Sequence, residues 1–177
     1  KKAMMELGGK SAHIVLDDAK FEKCLPMAAM VACVMSGQAC IMASRILLPR
    51  SRYDEGIEIL KASMEGTPVG DPWDPGMLQG PQISETQRQK VLGLIRSGID
   101  SGARLVTGGG VPDDLPVGYF TQPTLLADVD PDSQVAQEEI FGPVLTVIPY
   151  DSDDEAVAIA NNSIYGLSGE VTGVAES

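Results

Sequence analysis

Cys40 closes the tetrapeptide Gly37-Gln38-Ala39-Cys40, and Glu6 opens the segment Glu6-Leu7-Gly8-Gly9-Lys10 upstream of it. Covalent catalysis by sulfur needs a cysteine that can become a thiolate and a nearby group that moves a proton when the covalent intermediate is resolved. Cys40 and Glu6 are one candidate of each kind. On residues alone Cys40 has two readings, a small buried hydrophobe, as unpaired cysteines often are, or a nucleophile whose thiolate is solvated by backbone N–H groups after the Gly37 turn. The nearest cation in sequence is Arg45, so charge from close neighbours does not decide between them. Cys24 and Cys33 lie in or beside an apolar stretch, away from any Gly-Gln step, and read as structural. Glu6 is either a solvated surface acid or a carboxylate in the apolar surroundings of Met4, Met5 and Leu7. The second reading raises its pKa toward neutrality, as a general base at physiological pH requires.

Several other patterns carry less chemistry than they suggest. Gly8-Gly9-Lys10-Ser11 resembles the end of a phosphate-binding P-loop, but Met4 stands where that motif needs its first glycine. Gly108-Gly109-Gly110 lacks the continuation of a dinucleotide fingerprint and reads as a turn. His13 is the only histidine, so a Cys-His hydrolase must use it or none. It has no nucleophile arrangement around it and reads as a strand-edge residue. One histidine and three scattered cysteines give no zinc-type spacing, so no metal site is expected.

The elements that must position Cys40 and Glu6 follow from periodicity. Residues 13–16 read as a short buried strand, after which Asp17 and Asp18 supply N-cap chemistry for a helix through the apolar stretch Leu25 to Met35. Pro26 belongs near that helix's first turn or marks a break in it. Leu25 to Ser44 holds no charge, yet Pro26, Ser36, Gly37 and Gln38 interrupt it, and a membrane span needs ~20 predominantly apolar residues. A buried helix and turn is the better reading. Arg45 to Leu48 is the next strand, which leaves Cys40 on the connection. Ser51 can cap a helix with a stripe at Ile57, Leu60 and Met64. After a loop over 66–83, Ser84-Glu85-Thr86-Gln87 forms a capping box ahead of Val91, Leu92, Ile95 and Ile99. Arg104 to Thr107, Tyr119 to Leu126 and Val144 to Tyr150 read as extended, and Ser152-Asp153-Asp154-Glu155 opens a last helix through Asn161. Strands alternating with amphipathic helices predict an α/β fold, an open, mostly parallel sheet covered on both faces as a three-layer α/β/α sandwich.

With 177 residues, 44% of them hydrophobic, the chain can bury a single-domain core. Its net charge of −12 argues against nucleic acid or an anionic membrane as partner. Three cysteines without paired spacing fit a reducing, cytoplasmic compartment.

Taken together, Glu6-Leu7-Gly8-Gly9-Lys10, Gly37-Gln38-Ala39-Cys40, Val69-Gly70-Asp71-Pro72, Gly80-Pro81, Glu138-Glu139-Ile140-Phe141-Gly142-Pro143-Val144 and Asn161-Asn162-Ser163-Ile164-Tyr165-Gly166-Leu167 resemble the aldehyde dehydrogenase superfamily, in the family's order. The resemblance implies a catalytic domain over residues 1–177, with the dinucleotide-binding domain absent from this chain. It implies oxidation of an aldehyde to a carboxylic acid with NAD or NADP, Cys40 as nucleophile and Glu6 as the base that activates water. Glu6 points to the hydrolytic branch rather than to coenzyme A acylation. By the same resemblance Glu139 holds the nicotinamide-side ribose hydroxyls and Phe141 packs near the nicotinamide; on residues alone Glu139 is equally an exposed acid beside a strand. The family's oxyanion-hole asparagine and adenosine-binding surface lie outside the chain, so little dehydrogenase activity is expected of it in isolation. A small-molecule aldehyde is the implied partner, and a homo-oligomer, dimer or tetramer, the implied assembly. Two alternatives remain: a cofactor-independent thiol esterase using Cys40 and Glu6, and a non-catalytic family domain. Met35, Ile41 and Met42 suggest an apolar site near the reacting carbon, or serve equally well as core.

Overall fold

The apolar side chains of Arg45–Pro49 (β2) are divided between two faces: Ile46 and Leu48 enter one core and Leu47 the opposite one. Val144–Tyr150 (β5) does the same, with Leu145 and Val147 on the first face and Val144 and Ile148 on the second. Strands buried on both faces read as continuous apolar runs, which is how a parallel sheet between helix layers looks in sequence. A computed structural model describes residues 1–174 and places β2 and β5 at the centre of a six-stranded sheet. Its other strands are Ala12–Val15 (β1), Arg104–Thr107 (β3), Thr124–Ala127 (β4) and Glu170–Thr172 (β6), and the order is β3-β4-β5-β2-β1-β6. All neighbours are parallel except β3 and β4. Helices Phe21–Cys33 (α1) and Tyr53–Glu65 (α2) cover one face. Glu85–Asp100 (α3), Gln134–Gln137 (α4) and Asp153–Asn161 (α5) cover the other, giving the expected three layers. No helix among the described residues is long and apolar enough to cross a membrane.

Several local expectations are corrected. Asp17 and Asp18 do not cap α1, whose N-cap is Lys20; their carboxylates accept from the Ser51 hydroxyl and the Val174 amide instead. Ser51 is thereby drawn away from α2, which starts at an Arg52 N-cap after a short turn. Pro26 lies inside α1 without breaking it. The carbonyl that loses its donor to Pro26 belongs to Glu22, an exposed residue at which water can take the donor's place. Of the extended segment expected over 119–126, only the end beside β5 becomes strand. His13 is not at an edge: β1 lies between β2 and β6, and the ring is buried, sharing a 2.8 Å hydrogen bond with Thr172 Oγ1 and standing 3.7 Å from the Glu170 carboxylate. Both capping boxes close on the N-cap side, with Ser84 Oγ accepting from the Gln87 amide and Ser152 Oγ from that of Glu155, each at 3.2 Å.

Arg45 opens β2 with its side chain in the interior. Its Nε donates to the Lys10 carbonyl at 2.8 Å, and its two terminal nitrogens donate to Ile159 (3.1 Å) and Ala160 (2.9 Å) in the last turn of α5. A guanidinium suits that end of a helix, where unpaired carbonyls concentrate negative potential. Replacing it leaves three carbonyls short of a donor, so Arg45→Met is expected to lower the unfolding free energy by about 3 kcal/mol, with Arg45→Lys recovering less than half because an ammonium cannot reach all three sites; urea titrations of the three proteins measure this.

Candidate active site

The chain enters β1 through residues 6–11, β2 through 37–44 and β5 through 138–143, and these strands are neighbours in the order β5-β2-β1. Three loops distant in sequence therefore meet at the amino ends of adjacent parallel strands, with the Cys40 loop in the middle. Between them lies an open cleft of about 530 Å³ whose lining includes Glu6, Cys40, Glu139 and Phe141. All four residues singled out from the sequence are thus brought to one place.

Backbone contact sets the closeness of the loops. A Cβ on Gly9 would collide with the carbonyl oxygen of Cys40, so only glycine allows the first loop to lie against the second. The Gly9 amide also donates to Glu139 Oε1 at 3.1 Å, tying the first loop to the third. Gly37, with φ of 71°, packs against the backbone of Gly142 and Pro143, which joins the second loop to the third. From the β6 side, Tyr165 and Leu167 close over Gly8 and Gly9; the Tyr165 ring comes within 3.1 Å of where a Gly8 Cβ would stand.

Cys40 is half-buried on this connection, whereas Cys33 is fully buried with its thiol pushed up to about 11 by loss of solvent. Cys24 is half-buried in α1, and desolvation raises its pKa too. Glu6 differs from expectation: it is exposed, and Met4 and Met5, 91% and 68% exposed, project away rather than enclosing it. The apolar surroundings proposed for this carboxylate are not supplied by its sequence neighbours, because Met4, Met5 and Leu7 lie exposed on a segment without regular structure. Met42 is core, while Met35 and Ile41 are exposed along an apolar groove of about 640 Å³ that continues from the Cys40 loop along α1.

Two side chains of α3, Gln87 of the capping box and Lys90, hold the third loop, a role their sequence surroundings do not signal. In a full capping box the Gln87 side chain would return to the Ser84 amide. Here its Nε2 instead donates to the carbonyls of Ile140 (3.0 Å) and Phe141 (2.9 Å). Lys90, one turn further along the same helix face, donates to the Glu139 carbonyl at 2.9 Å. They fix the segment in which Phe141 takes a left-handed φ of 58°. Their i, i+3 spacing was visible, but nothing local indicated what faced them.

The aldehyde dehydrogenase family model matches residues 1–176. Among curated proteins, 3-succinoylsemialdehyde-pyridine dehydrogenase of a Pseudomonas species is 44% identical over 173 residues, covering 97% of this chain and 36% of that protein. Among solved structures, Mycobacterium tuberculosis aldehyde dehydrogenase complexed with NAD+ superposes with a TM-score of 0.94 at 51% identity, covering 96% of this chain and 35% of that one. A mutant of aldehyde dehydrogenase C from Pseudomonas syringae, complexed with NAD+ and octanal, gives 0.93 at 42% identity, with the same coverage of 96% and 35%. The chain spans about a third of the length of these relatives.

At the end of the Glu6–Lys10 segment, Lys10 is 1% exposed and its Nζ has no hydrogen-bond partner among the described residues. Burial, then the Arg45 charge, lowers its pKa to about 7, against the opposing pull of Glu139. The unfolded chain holds this proton up to its ordinary value of 10.5. Between those values the unfolded state binds more protons than the folded one, so stability rises with pH across that window and the cost of burying the charged amine is felt in full below it. Relative to Lys10→Met, wild type is expected to gain stability from pH 7 to 9.5 at up to about 1.4 kcal/mol per pH unit. Parallel urea curves for the two proteins would show the idea wrong.

Proposed function

The chain belongs to the aldehyde dehydrogenase family, and on that premise we propose that the complete protein oxidises an aldehyde to a carboxylic acid with NAD or NADP, residues 1–177 acting as its catalytic domain. The observation that carries the reading is the meeting of Glu6, Cys40, Glu139 and Phe141 in one cleft. The Cys40 thiolate adds to the aldehyde carbon, forming a C–S bond while the carbonyl electron pair moves to oxygen. N–H donors, the Cys40 amide among them, hold that oxyanion. Bound NAD(P) supplies the acceptor for the hydride that the same carbon must lose. Cys40 Sγ then carries the acyl group as a thioester. Glu6 takes a proton from water, the water oxygen attacks the acyl carbon, and sulfur departs as thiolate.

The residues present fit the cofactor. One oxygen of Glu139 is engaged by the Gly9 amide, and the other lies 3.0 Å from where a Cβ on Gly8 would stand. Glycine leaves that oxygen open, and an ionised carboxylate has acceptor sites to spare for ribose hydroxyls. Phe141 lines the same cleft and offers an apolar face to the nicotinamide. The apolar groove beside the Cys40 loop suits an aldehyde with an apolar substituent. The protein works as a homo-oligomer, and the three free cysteines suit the reducing cytoplasm.

NADH formation by the complete protein over aliphatic and aromatic aldehydes tests the reading. Cys40→Ser is expected to remove turnover by about a thousandfold or more. Glu6→Gln is expected to cut steady-state turnover about a hundredfold while leaving a first-turnover burst of NADH. Cleavage of p-nitrophenyl esters with no NAD- or NADP-dependent oxidation of any aldehyde would replace this reading with a thiol esterase.

A further inference from the structure

Immediately before Gln38, the chain passes through three consecutive left-handed residues: Met35 (φ 52°, ψ 28°), Ser36 (φ 57°, ψ 32°) and Gly37 (φ 71°). Side chains disfavour this region, and residues other than glycine visit it singly rather than in runs. Two side-chain-bearing residues in succession persist only where the surroundings over-determine them, a situation that recurs at functional sites. Here the surroundings are the loop containing Gly80-Pro81, which plays no part in the chemistry described above. Ser36 Oγ donates to the Gly80 carbonyl at 2.8 Å. Gln82 Nε2 donates to the Ser36 carbonyl at 2.9 Å and to Thr121 Oγ1 at 3.3 Å. The Ile83 amide donates to Gln38 Oε1 at 3.0 Å. Ser36 and Gln82 are 4% and 2% exposed, so water does not compete for the Oγ and Nε2 bonds.

We propose that Gln82 and Ser36 are positioning residues for Cys40: by clamping the left-handed run from the 80–83 loop, they fix the direction in which the chain leaves Gly37 and so hold the Cys40 thiol in the cleft, with the Cys40 carbonyl seated against Gly9. The inference rests on Cys40 being the reacting thiol. Between Gln38 and β2 the chain has no regular structure. Apart from a turn closed by the Met42 amide on the Ala39 carbonyl at 3.3 Å and the Gly9 contact, its course is set by the clamp on one side and by Arg45 on the other. Without the Gln82 donor, Met35 and Ser36 relax toward right-handed backbone, and the residues that follow rotate with them. Ser36 carries a further signature. Its hydroxyl supports the clamp while its Cβ opposes the conformation the clamp imposes, so removing the Cβ as well as the hydroxyl is better tolerated than removing the hydroxyl alone. That inverts the usual order, in which glycine is the more damaging replacement.

The test is iodoacetamide labelling of Cys24, Cys33 and Cys40 in the same molecules, resolved by peptide mass spectrometry, for wild type, Gln82→Met, Ser36→Ala and Ser36→Gly. Gln82→Met is expected to slow Cys40 about tenfold while Cys24 and Cys33 label at wild-type rates. Ser36→Ala is expected to slow Cys40 about tenfold, and Ser36→Gly by less than about threefold. Wild-type labelling of Cys40 in Gln82→Met overturns the proposal, as does a parallel change at all three cysteines, which would mean general loosening. Should Gln82→Met fail to fold, the serine pair decides: alanine labelling as fast as glycine overturns the clamp. Labelling needs neither aldehyde nor cofactor, so a protein that oxidises no aldehyde would sink the dehydrogenase reading and leave this contrast intact.

Discussion

One buried guanidinium locks together the end of the sheet where the candidate chemistry gathers. Arg45 is the first residue of β2; its side chain takes the Lys10 carbonyl at the entry to β1 and two carbonyls at the end of α5, while its backbone amide takes that of Ser11. Two strands and a helix from the opposite layer are thereby fixed at one point. The bonds are made away from water, where a missing donor costs more than a present one contributes. The segment carrying Glu6 and the segment carrying Cys40 leave this point on adjacent strands, so their separation is set before either side chain is considered.

The loops that meet there do so mainly through backbone. Gly9 lies on the Cys40 carbonyl, Gly37 on Gly142 and Pro143, and the Gly9 amide reaches Glu139. Side chains at these positions would hold the loops apart, and the cleft would open by the width of a methyl group or more. The arrangement is at the amino ends of the parallel strands, whereas ligand sites in open α/β sheets more often gather at the carboxyl ends. What substitutes for strand-end geometry is a set of side chains arriving from outside the three loops: Gln87 and Lys90 from α3, and Ser36 with Gln82 around the Cys40 turn.

Charge is distributed to the same end. The chain carries a net charge of −12, yet Lys10 and Arg45 are buried together, lining one pocket beside Ala160 and Tyr165, with Glu139 the largest opposing charge acting on Lys10. Two cations so placed cannot both keep their ordinary affinity for protons. Lysine yields first, because an ammonium loses more hydration on burial than a delocalised guanidinium. The Glu6–Lys10 segment thus contributes more than a candidate base: its two glycines set distance, its Gly9 amide orients Glu139, and its lysine places a titratable charge in the interior beside Arg45.

The sequence by itself determined the layers and the candidate chemistry. The apolar runs of β2 and β5, the stripe of Ile57, Leu60 and Met64, and the serines that cap α3 and α5 are local signals, since backbone state and buried face follow from residues within a few positions of each other. The motifs around Glu6, Cys40 and Glu139 are contiguous too, but their roles came from the family resemblance, Glu139's from it alone. Tertiary structure alone decided which partner each polar group took. Asp17 and Asp18 turned to Ser51 and Val174 instead of α1, Gln87 left its capping box for the carbonyls of Ile140 and Phe141, and His13 came to lie inside the sheet beside Thr172. Glu6 lost the apolar surroundings its neighbours promised, and Ser36 took a backbone conformation its side chain disfavours. A hydrogen bond goes to whichever donor or acceptor the packing brings within about 3 Å. That distance is set by strand register and by how helices pack on the sheet, between segments as far apart as Lys10 and Ile159, which no local pattern encodes.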